Sequence, residues 1–455
     1  MAEERGARRL FRSRSYRLLW IGSTTSNLGA AVTTVALAWV VFSSTQSTIA
    51  VTLLGLANFV PGICIGLAAG VLADRFERRQ LMLRADLARV AATAALVALL
   101  LLYRFELAAV LAIVVVVSAF SALFRPAANA IIPELVAGED LGDANGLLLA
   151  GATAGNFLGA AVGGLCVVTI GAAAGFTLNS LTYAVSAAML FLLVVPRGAR
   201  PTGAPSPAPG AASGAPTKRS SFTRELAEGF SYVRSQPALL YTILSSLAAN
   251  FFIAFYFQYI VIFVSVGLHG SASLYGIATA LSSVGFGVGA LLVGRFRLTR
   301  WTGWVYILGW GLGGLLVVAL GLFPSDALLL VVSMGFSAVA GLANTAYFAT
   351  VQRIVPGHLL GRFFAIDEVT SFAILPLGQI VGGLVILTLG IDRAYVISGL
   401  GSSISILALL FSRSSRNLSD RAPTPPAAVG ALGPPAPPSP SPDGAALAAT
   451  FLAPP

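Results

Sequence analysis

Apolar stretches of about 20 residues recur along the whole chain, and the segments between them are short and rich in arginine. A run of that length is what a helix needs to cross the hydrocarbon core of a bilayer. Inside lipid every backbone N–H and C=O must be bonded within the element itself, so runs of this kind fold as helices. Composition points the same way. The chain is 56% hydrophobic and 10% charged, with mean hydropathy +0.86, against about 25% charged residues in soluble domains. The expected fold class is an all-α polytopic membrane protein.

Twelve spans are read at 18–42, 49–73, 81–103, 107–131, 146–169, 173–195, 238–266, 272–294, 301–323, 327–351, 363–389 and 392–412. The first follows a basic segment, but it is longer than a secretory leader's apolar core and no small-residue cleavage site interrupts it. It therefore reads as a retained helix. The expected organisation is a cytoplasmic N-terminus (1–17), a six-helix half (18–195), a cytoplasmic linker (196–237), a second six-helix half (238–412) and a cytoplasmic tail (413–455). The linker opens with RPTGAPSPAPGAASGAP and continues as SFTRELAEGFSYVRSQP, whose pattern predicts a short amphipathic interfacial helix. The tail contains PTPPAAVGALGPPAPPSPSP, which has nothing to pack and is expected to be disordered.

The net charge is +10, and Lys218 is the single lysine. Such a balance invites nucleic-acid binding, but the arginines sit in loops between spans and exclude it. Six precede or open span one (Arg5, Arg8, Arg9, Arg12, Arg14, Arg17). Others follow spans two (Arg75, Arg78, Arg79, Arg84), eight (Arg295, Arg297, Arg300), ten (Arg353, Arg362) and twelve (Arg413, Arg416, Arg421), or lie in the linker. The opposite loops carry Arg104 and Arg393. Positive charge is retained on the cytoplasmic side, so both termini and the linker are expected there, in the cytoplasmic membrane. The acidic segment PELVAGEDLGD (133–143), with Glu134, Glu139, Asp140 and Asp143, leaves this orientation standing, because acidic residues contribute little to it. Cys64 and Cys166 lie inside apolar segments, with no CxxC and no histidine cluster, so neither a disulfide nor a metal site is expected.

The two halves repeat. ADRF (73–76) aligns with VGRF (293–296) at an offset of 220. SAFSALF (118–124) with SAVAGLA (337–343), LVAGEDLG (135–142) with IVPGHLLG (354–361), and GAAVGG (159–164) with GQIVGG (378–383) align at 219. Parallel six-span repeats are an architecture of secondary transporters, with a substrate site between the halves near the membrane midplane.

GVLADRFERR (70–79) resembles the loop 2–3 signature of the major facilitator superfamily, Gly-x-Leu-Ala-Asp-Arg-x-Gly-Arg-Arg, with Glu77 replacing the usual Gly or Asp. DLAR (86–89), FRPAANAIIPELV (124–136) and GR (361–362) are similar to the branch holding macrolide and enterobactin exporters. GNFLGAAVGG (155–164) resembles the span-five antiporter motif, with Ala160 in the proline position. The resemblance covers about residues 10–412 and implies the twelve-helix major facilitator fold and alternating-access transport.

It also implies a conformational gate at Gly70, Asp74, Arg75, Arg78, Arg79, Arg125 and Arg362. Asp74 would cap the start of span eleven and pair with Arg125 at the end of span four, closing the cytoplasmic side. Arg78 and Arg79 act mainly on orientation and lipid headgroups. The repeat mate of Asp74 is Gly294, while Arg75 keeps Arg295, so the carboxylate is present in one half alone and calls for a conformational role.

Ionisable groups inside spans are functional candidates by default. Proton-coupling candidates are Asp86, Asp367 and Glu368, although Asp86 and Arg89, three apart on span three, also read as a structural ion pair. The substrate cavity is expected among mid-span polar and aromatic residues: Asn27, Asn58, Asn156, Asn179, Asn250, Tyr256, Gln258, Asn344 and Tyr347. Phe251, Phe255 and Gln258 add a stripe on span seven. A large apolar cavity of this kind suits bulky lipophilic compounds. Gly155, Gly159 and Gly163, and Gly285 and Gly289, form GxxxG-type patterns expected to pack helices within a half, and Gly164, Gly378 and Gly382 are further helix-packing candidates.

The reading is therefore a secondary transporter exporting small hydrophobic compounds of drug, macrolide or siderophore type, driven by protons, monomeric and without cofactor. An uptake permease is the alternative. A non-transporting receptor or scaffold fits the duplication poorly. An intramembrane enzyme lacks a catalytic cluster, since His269 and His358 both lie in loops, and no Walker A sequence supports ATP drive.

Overall fold

The computed structural model describes residues 9–102, 105–136, 140–195, 222–296 and 298–419, apart from the side chains at 66–75, 222–228, 357, 358, 361, 365, 368 and 372. Among the described residues twelve helical segments are long and apolar enough to cross a membrane, matching the twelve expected spans. In the first half these are α1 (Arg14–Thr45), α2 (Thr48–Arg75), α3 (Arg78–Leu102), α4 (Leu107–Leu135), α5 (Leu141–Thr169) and α6 (Ala172–Leu192). A shorter helix, α7 (Phe222–Ser235), precedes the second half. That half holds α8 (Pro237–Ile262), α9 (Ala272–Phe296), α10 (Thr302–Leu322), α11 (Asp326–Ile354), α12 (Gly357–Ala373), α13 (Leu375–Leu389) and α14 (Ile391–Leu407), followed by a one-turn α15 (Arg413–Arg416).

Span eleven is therefore two helices. The break falls at Ile374, and Pro376 sits in the first turn of α13. Proline lacks an N–H and clashes with the preceding turn, so it begins a helix more readily than it continues one. Span seven is irregular too. Tyr259 leaves helical geometry (φ −109°, ψ 15°), and Phe263–Gly267 forms a π-helical turn.

The duplication is visible in conformation as well as in sequence. Gly171 (φ 83°, ψ 161°) turns α5 into α6, and Gly390 (φ 88°, ψ 165°) turns α13 into α14. These glycines stand at the same 219-residue offset as the sequence anchors, and both occupy backbone space that L side chains avoid.

Short turns make successive spans antiparallel. One end of the bundle collects the starts of α1, α3 and α5 with α7 and α15; it is called here the arginine-rich end, and its opposite the far end. At the arginine-rich end the halves keep separate cores. Tyr16, Leu19, Met82, Phe124 and Ile131 fill the first, and Val233, Ile243, Tyr347, Phe363 and Ile406 fill the second. At the far end Val35, Phe42 and Val51 of the first half join one cluster with Phe255, Tyr259, Phe263, Tyr275 and Tyr395 of the second. Among the described residues the cores of the halves merge at the far end and stay separate at the arginine-rich end.

Two expectations change here. α7 forms as its pattern predicts, but one face is not interfacial. Val233 is buried in the second core, and Gly229 lies so close to α12 that an added Cβ would sit 3.0 Å from the Arg362 Cβ. The expected disorder from 413 onward does not hold for 413–419. The Gly303 N–H donates to the Leu418 carbonyl at 2.8 Å, and Ser415 and Leu418 are buried against the second half. Residues 196–221 of the linker and 420–455 of the tail lie outside the described residues.

Candidate functional site

The interface between the halves is the candidate site, and its walls follow from the helix contacts. Small residues bring α5 onto α1. A Cβ added at Gly155, Gly159 or Gly163 would meet the carbonyl oxygens of Thr24, Leu28 and Val32 at 2.5, 2.1 and 2.8 Å. Gly378 and Gly382 repeat the arrangement on α8, against the Phe251 carbonyl at 2.3 Å and the Phe255 ring at 2.7 Å. Gly285 and Gly289 lie against the Met334 and Ala338 carbonyls of α11. These contacts stay within a half, as expected. Gly164 packs across the halves: its neighbour is the Gly276 carbonyl, at 2.2 Å from the added Cβ.

At mid-depth Phe157 of α5 stacks on Phe286 of α9, with centroids 4.1 Å apart. Nearer the far end the halves meet again. Tyr275 donates to the Val35 carbonyl at 3.3 Å and stacks on Trp39 at 5.6 Å. Gln258 donates to the Val51 carbonyl at 2.7 Å. The Tyr259 hydroxyl lies 2.7 Å from Thr52 Oγ1 and donates to the Gln379 carbonyl. Among the described residues α12 packs chiefly on α7, α8 and α13 of its own half.

This arrangement relocates several expected cavity residues. Gln258 belongs to the far-end seam, not to an open cavity wall. Phe255, Tyr256 and Tyr347 are buried. Tyr256 packs edge-on to Phe336 and Tyr395, because α8 is enclosed by α13 and α14 and its aromatic stripe fills their core. Asn179 is buried beneath Gly29 on α1, and Asn250 donates to the Ser371 carbonyl at 3.3 Å. Asn27 and Asn58 are half-buried and donate to carbonyls one turn back, Ser23 at 2.7 Å and Leu54 at 3.0 Å. Asn156 is exposed, and Phe251 and Asn344 are half-buried. Asn27, Asn58, Asn156 and Asn344 thus remain as polar candidates for the cleft.

The charged candidates separate sharply. Asp86 and Arg89 are buried inside the first half. They form an ion pair, Ser186 donates to Asp86 Oδ2 at 2.6 Å, and Arg89 reaches Ser26 Oγ at 3.3 Å. The guanidinium lies 4.5 Å from the ring centroids of both Phe124 and Tyr183. This pair ties α1, α3, α4 and α6 together, as the structural reading of Asp86 anticipates. Asp367 on α12 is buried in the second half, where it accepts from the Tyr347 hydroxyl at 3.3 Å. Tyr347 packs on Tyr306, whose hydroxyl lies 2.6 Å from Ser246 Oγ. The Glu368 side chain is outside the described residues.

At the expected gate, the side chains of Gly70, Asp74 and Arg75 are outside the described set. Arg78 and Arg79 are not free for headgroups. Arg78 bonds Glu134 Oε1 at 2.6 Å and the Ala130 carbonyl at 2.8 Å. Arg79 donates to the Leu190 and Phe191 carbonyls at 2.9 and 2.6 Å, capping α6. Both clamp α3 to its neighbours within the half. Arg125 is exposed, and Arg362 lies beneath Gly229. In the acidic segment Asp140 pairs with Arg9, so it docks on the basic end. Cys64 is exposed and Cys166 buried, and neither is in a disulfide. The residues that sequence reasoning missed are Thr52, Tyr259, Gln379 and Gly383 of the far-end seam. The one available signal was Gly383, the repeat mate of Gly164.

Comparison with known proteins adds the following. The family model described as "Transmembrane secretion effector" matches residues 7–427. The uncharacterized MFS-type transporter YfiS of Bacillus subtilis is 26% identical over 401 residues, covering 86% of this chain and 91% of the relative. Macrolide efflux protein A of Streptococcus pyogenes is 22% identical over 393 residues, covering 84% and 91%. Among solved structures, a bacterial homolog of the human lysosomal transporter Spinster superposes with a TM-score of 0.64. It has 17% identity, with 90% of this chain and 97% of that one covered.

Proposed function

The chain belongs to the major facilitator superfamily, within its transmembrane secretion effector family, and from that premise we propose that it is a proton-driven exporter of small hydrophobic compounds working by alternating access. The cores that merge at the far end and stay apart at the arginine-rich end support this reading most directly. On this reading a cleft between the halves has its mouth at the arginine-rich end. Arginine retention assigns that mouth to the cytoplasm, so the structure is read as the inward-facing state of a cytoplasmic-membrane exporter.

The roles divide as follows. Asn27, Asn58, Asn156 and Asn344 supply sparse polarity to an otherwise apolar cleft, which favours lipophilic drugs, macrolides or siderophores over sugars. Asp74 closes the cytoplasmic mouth in the opposite state, together with Arg125 and the start of α12. Asp367 carries the proton. It stands on the half-helix of broken span eleven that moves with the mouth, buried in the second half and accepting from the Tyr347 hydroxyl.

Substrate accumulation in everted vesicles tests this, screened over macrolides, dyes and siderophores with and without an imposed proton gradient. Gradient-dependent accumulation that Asp367→Asn abolishes, with equal protein in the membrane, is the expected result. Accumulation only in right-side-out vesicles would instead indicate an uptake permease. Unchanged gradient-driven export by Asp367→Asn would remove the residue from the mechanism.

A further inference from the structure

The repeat mates Gly164 and Gly383 both stand where the halves touch at the far end, but their surroundings differ. Gly164 faces Gly276, and each glycine's added Cβ would lie 2.2 Å from the other's carbonyl oxygen. That seam, between α5 and α9, is backbone against backbone. Gly383 faces Thr52 Oγ1 and the Tyr259 hydroxyl, at 2.6 and 2.7 Å from an added Cβ. This second seam, between α2, α8 and α13, is made of hydrogen bonds.

We propose that Thr52, Gln258, Tyr259 and Gln379 form the releasable latch that holds the far end shut, while the Gly164–Gly276 seam is the pivot that stays in contact. Three observations carry this. First, the bonds that cross the latch are uncharged: Gln258 donates to the Val51 carbonyl of α2, and the Tyr259 hydroxyl, held in its own half by its bond to the Gln379 carbonyl, meets Thr52 Oγ1 of α2. Helix carbonyls already accept an intrahelical bond, so the latch uses their second lone pair and can part without unwinding a helix. Second, the closed seam contains an unmet polar group. Gln379 Nε2 donates to Gln258 Oε1 at 3.2 Å, but buried Gln379 Oε1 has no partner and points at Gly55, where an added Cβ would be 2.6 Å away. A buried orphan acceptor destabilises the state that contains it, and opening would hydrate it. Third, α8 leaves helical geometry at Tyr259 and continues as a π turn. Sharp helix irregularities mark places where one segment can move against the next. The far-end closure is thereby poised: a few modest bonds opposed by one orphan oxygen, with a kink at the hub.

The inference rests on the alternating-access reading only in requiring that the halves rock, and its test uses neither substrate nor gradient. Spin labels go on cysteines replacing exposed Ser44 and Arg393 at the far ends of the two halves, in a background with Cys64→Ser and Cys166→Ala. The full chain is placed in lipid nanodiscs, and the distance distribution is read by pulsed electron resonance. Each of Tyr259→Phe and Thr52→Val should raise the ratio of far-end-open to far-end-closed molecules by roughly 2- to 12-fold, the equivalent of one net hydrogen bond. Gly383→Ala should act in the same direction by wedging the seam. Tyr395→Phe removes a bond of the same kind to the Tyr256 carbonyl inside one half, and should leave the distribution unchanged. Thr52→Ser, which keeps the hydroxyl, should restore the wild-type ratio. If Tyr259→Phe fails to fold, Thr52→Val reads the latch from the other half. A distribution unmoved by Thr52→Val and Gly383→Ala, or moved equally by Tyr395→Phe, overturns the proposal. Loss of transport with a shifted distribution bears on the exporter reading alone.

Discussion

Removing one member of the Asp86–Arg89 pair should harm this protein more than removing both. The carboxylate and the guanidinium are 0% and 4% exposed, so neither can turn to water when its partner is lost. Breaking a buried pair from one side costs about 3–5 kcal/mol, whereas replacing both members with apolar residues of similar volume is often close to neutral. The two single variants should also differ. Asp86→Asn leaves the cation between the Phe124 and Tyr183 rings and near Ser26, and each ring face offers about 0.5–2 kcal/mol of compensation. Arg89→Met leaves the carboxylate with the single Ser186 hydroxyl, so it should be the more damaging of the two. The double variant Asp86→Leu/Arg89→Met should recover at least about 2 kcal/mol relative to the sum of its singles. Unfolding free energies from denaturant titration in mixed micelles provide the measurement. Single variants costing under about 1 kcal/mol, or a double variant as damaged as the sum, would refute the account of this pair as a buried strut across α1, α3, α4 and α6.

Asp74→Asn should insert and express normally yet lose transport, measured as efflux per molecule in vesicles; normal efflux would dismiss the gate. Gly159→Leu should destabilise the first half by about 1–3 kcal/mol or more, because its Cβ meets the immobile Leu28 backbone. The same titration reads it, and a stability loss within error would mean that α1 and α5 can separate freely. Arg79→Ala should cost about 1–3 kcal/mol through the loss of two charged bonds to the Leu190 and Phe191 carbonyls. Faster hydrogen exchange confined to the last turn of α6 is the expected signature.

How far the sequence carried the reading depended on how local each signal was. Span positions, the duplication and the glycine seats of α5 and α13 were legible, because length, hydropathy and small-residue spacing act along one helix. The seam at Thr52, Tyr259 and Gln379 was not legible. Thr52 and Tyr259 are 207 residues apart, and no pattern in either span marks them as partners. Gln258 misled for the same reason: a polar residue at mid-span can face a cavity or the other half, and the hydropathy pattern is identical. Arg78 and Arg79 read as topological charges, and only the packing of α3 reveals that they cap α6 and hold α4.

By itself the amino-acid sequence determined a twelve-span helical membrane protein built from two related halves, with its positive charge concentrated at one end. Those properties follow from segment length, solvation of the backbone and the cost of charge in lipid, which each span satisfies alone. Tertiary structure alone decided that, among the described residues, the cores of the halves merge at the far end and stay separate at the arginine-rich end, that Asp86 is a strut inside the first half, and that the repeat mates Gly164 and Gly383 both meet the opposite half. Each of these is a contact between distant segments, set by how two six-helix bodies lean on one another. A single chain must support more than one such lean if it is to transport, so local sequence signals cannot specify one of them.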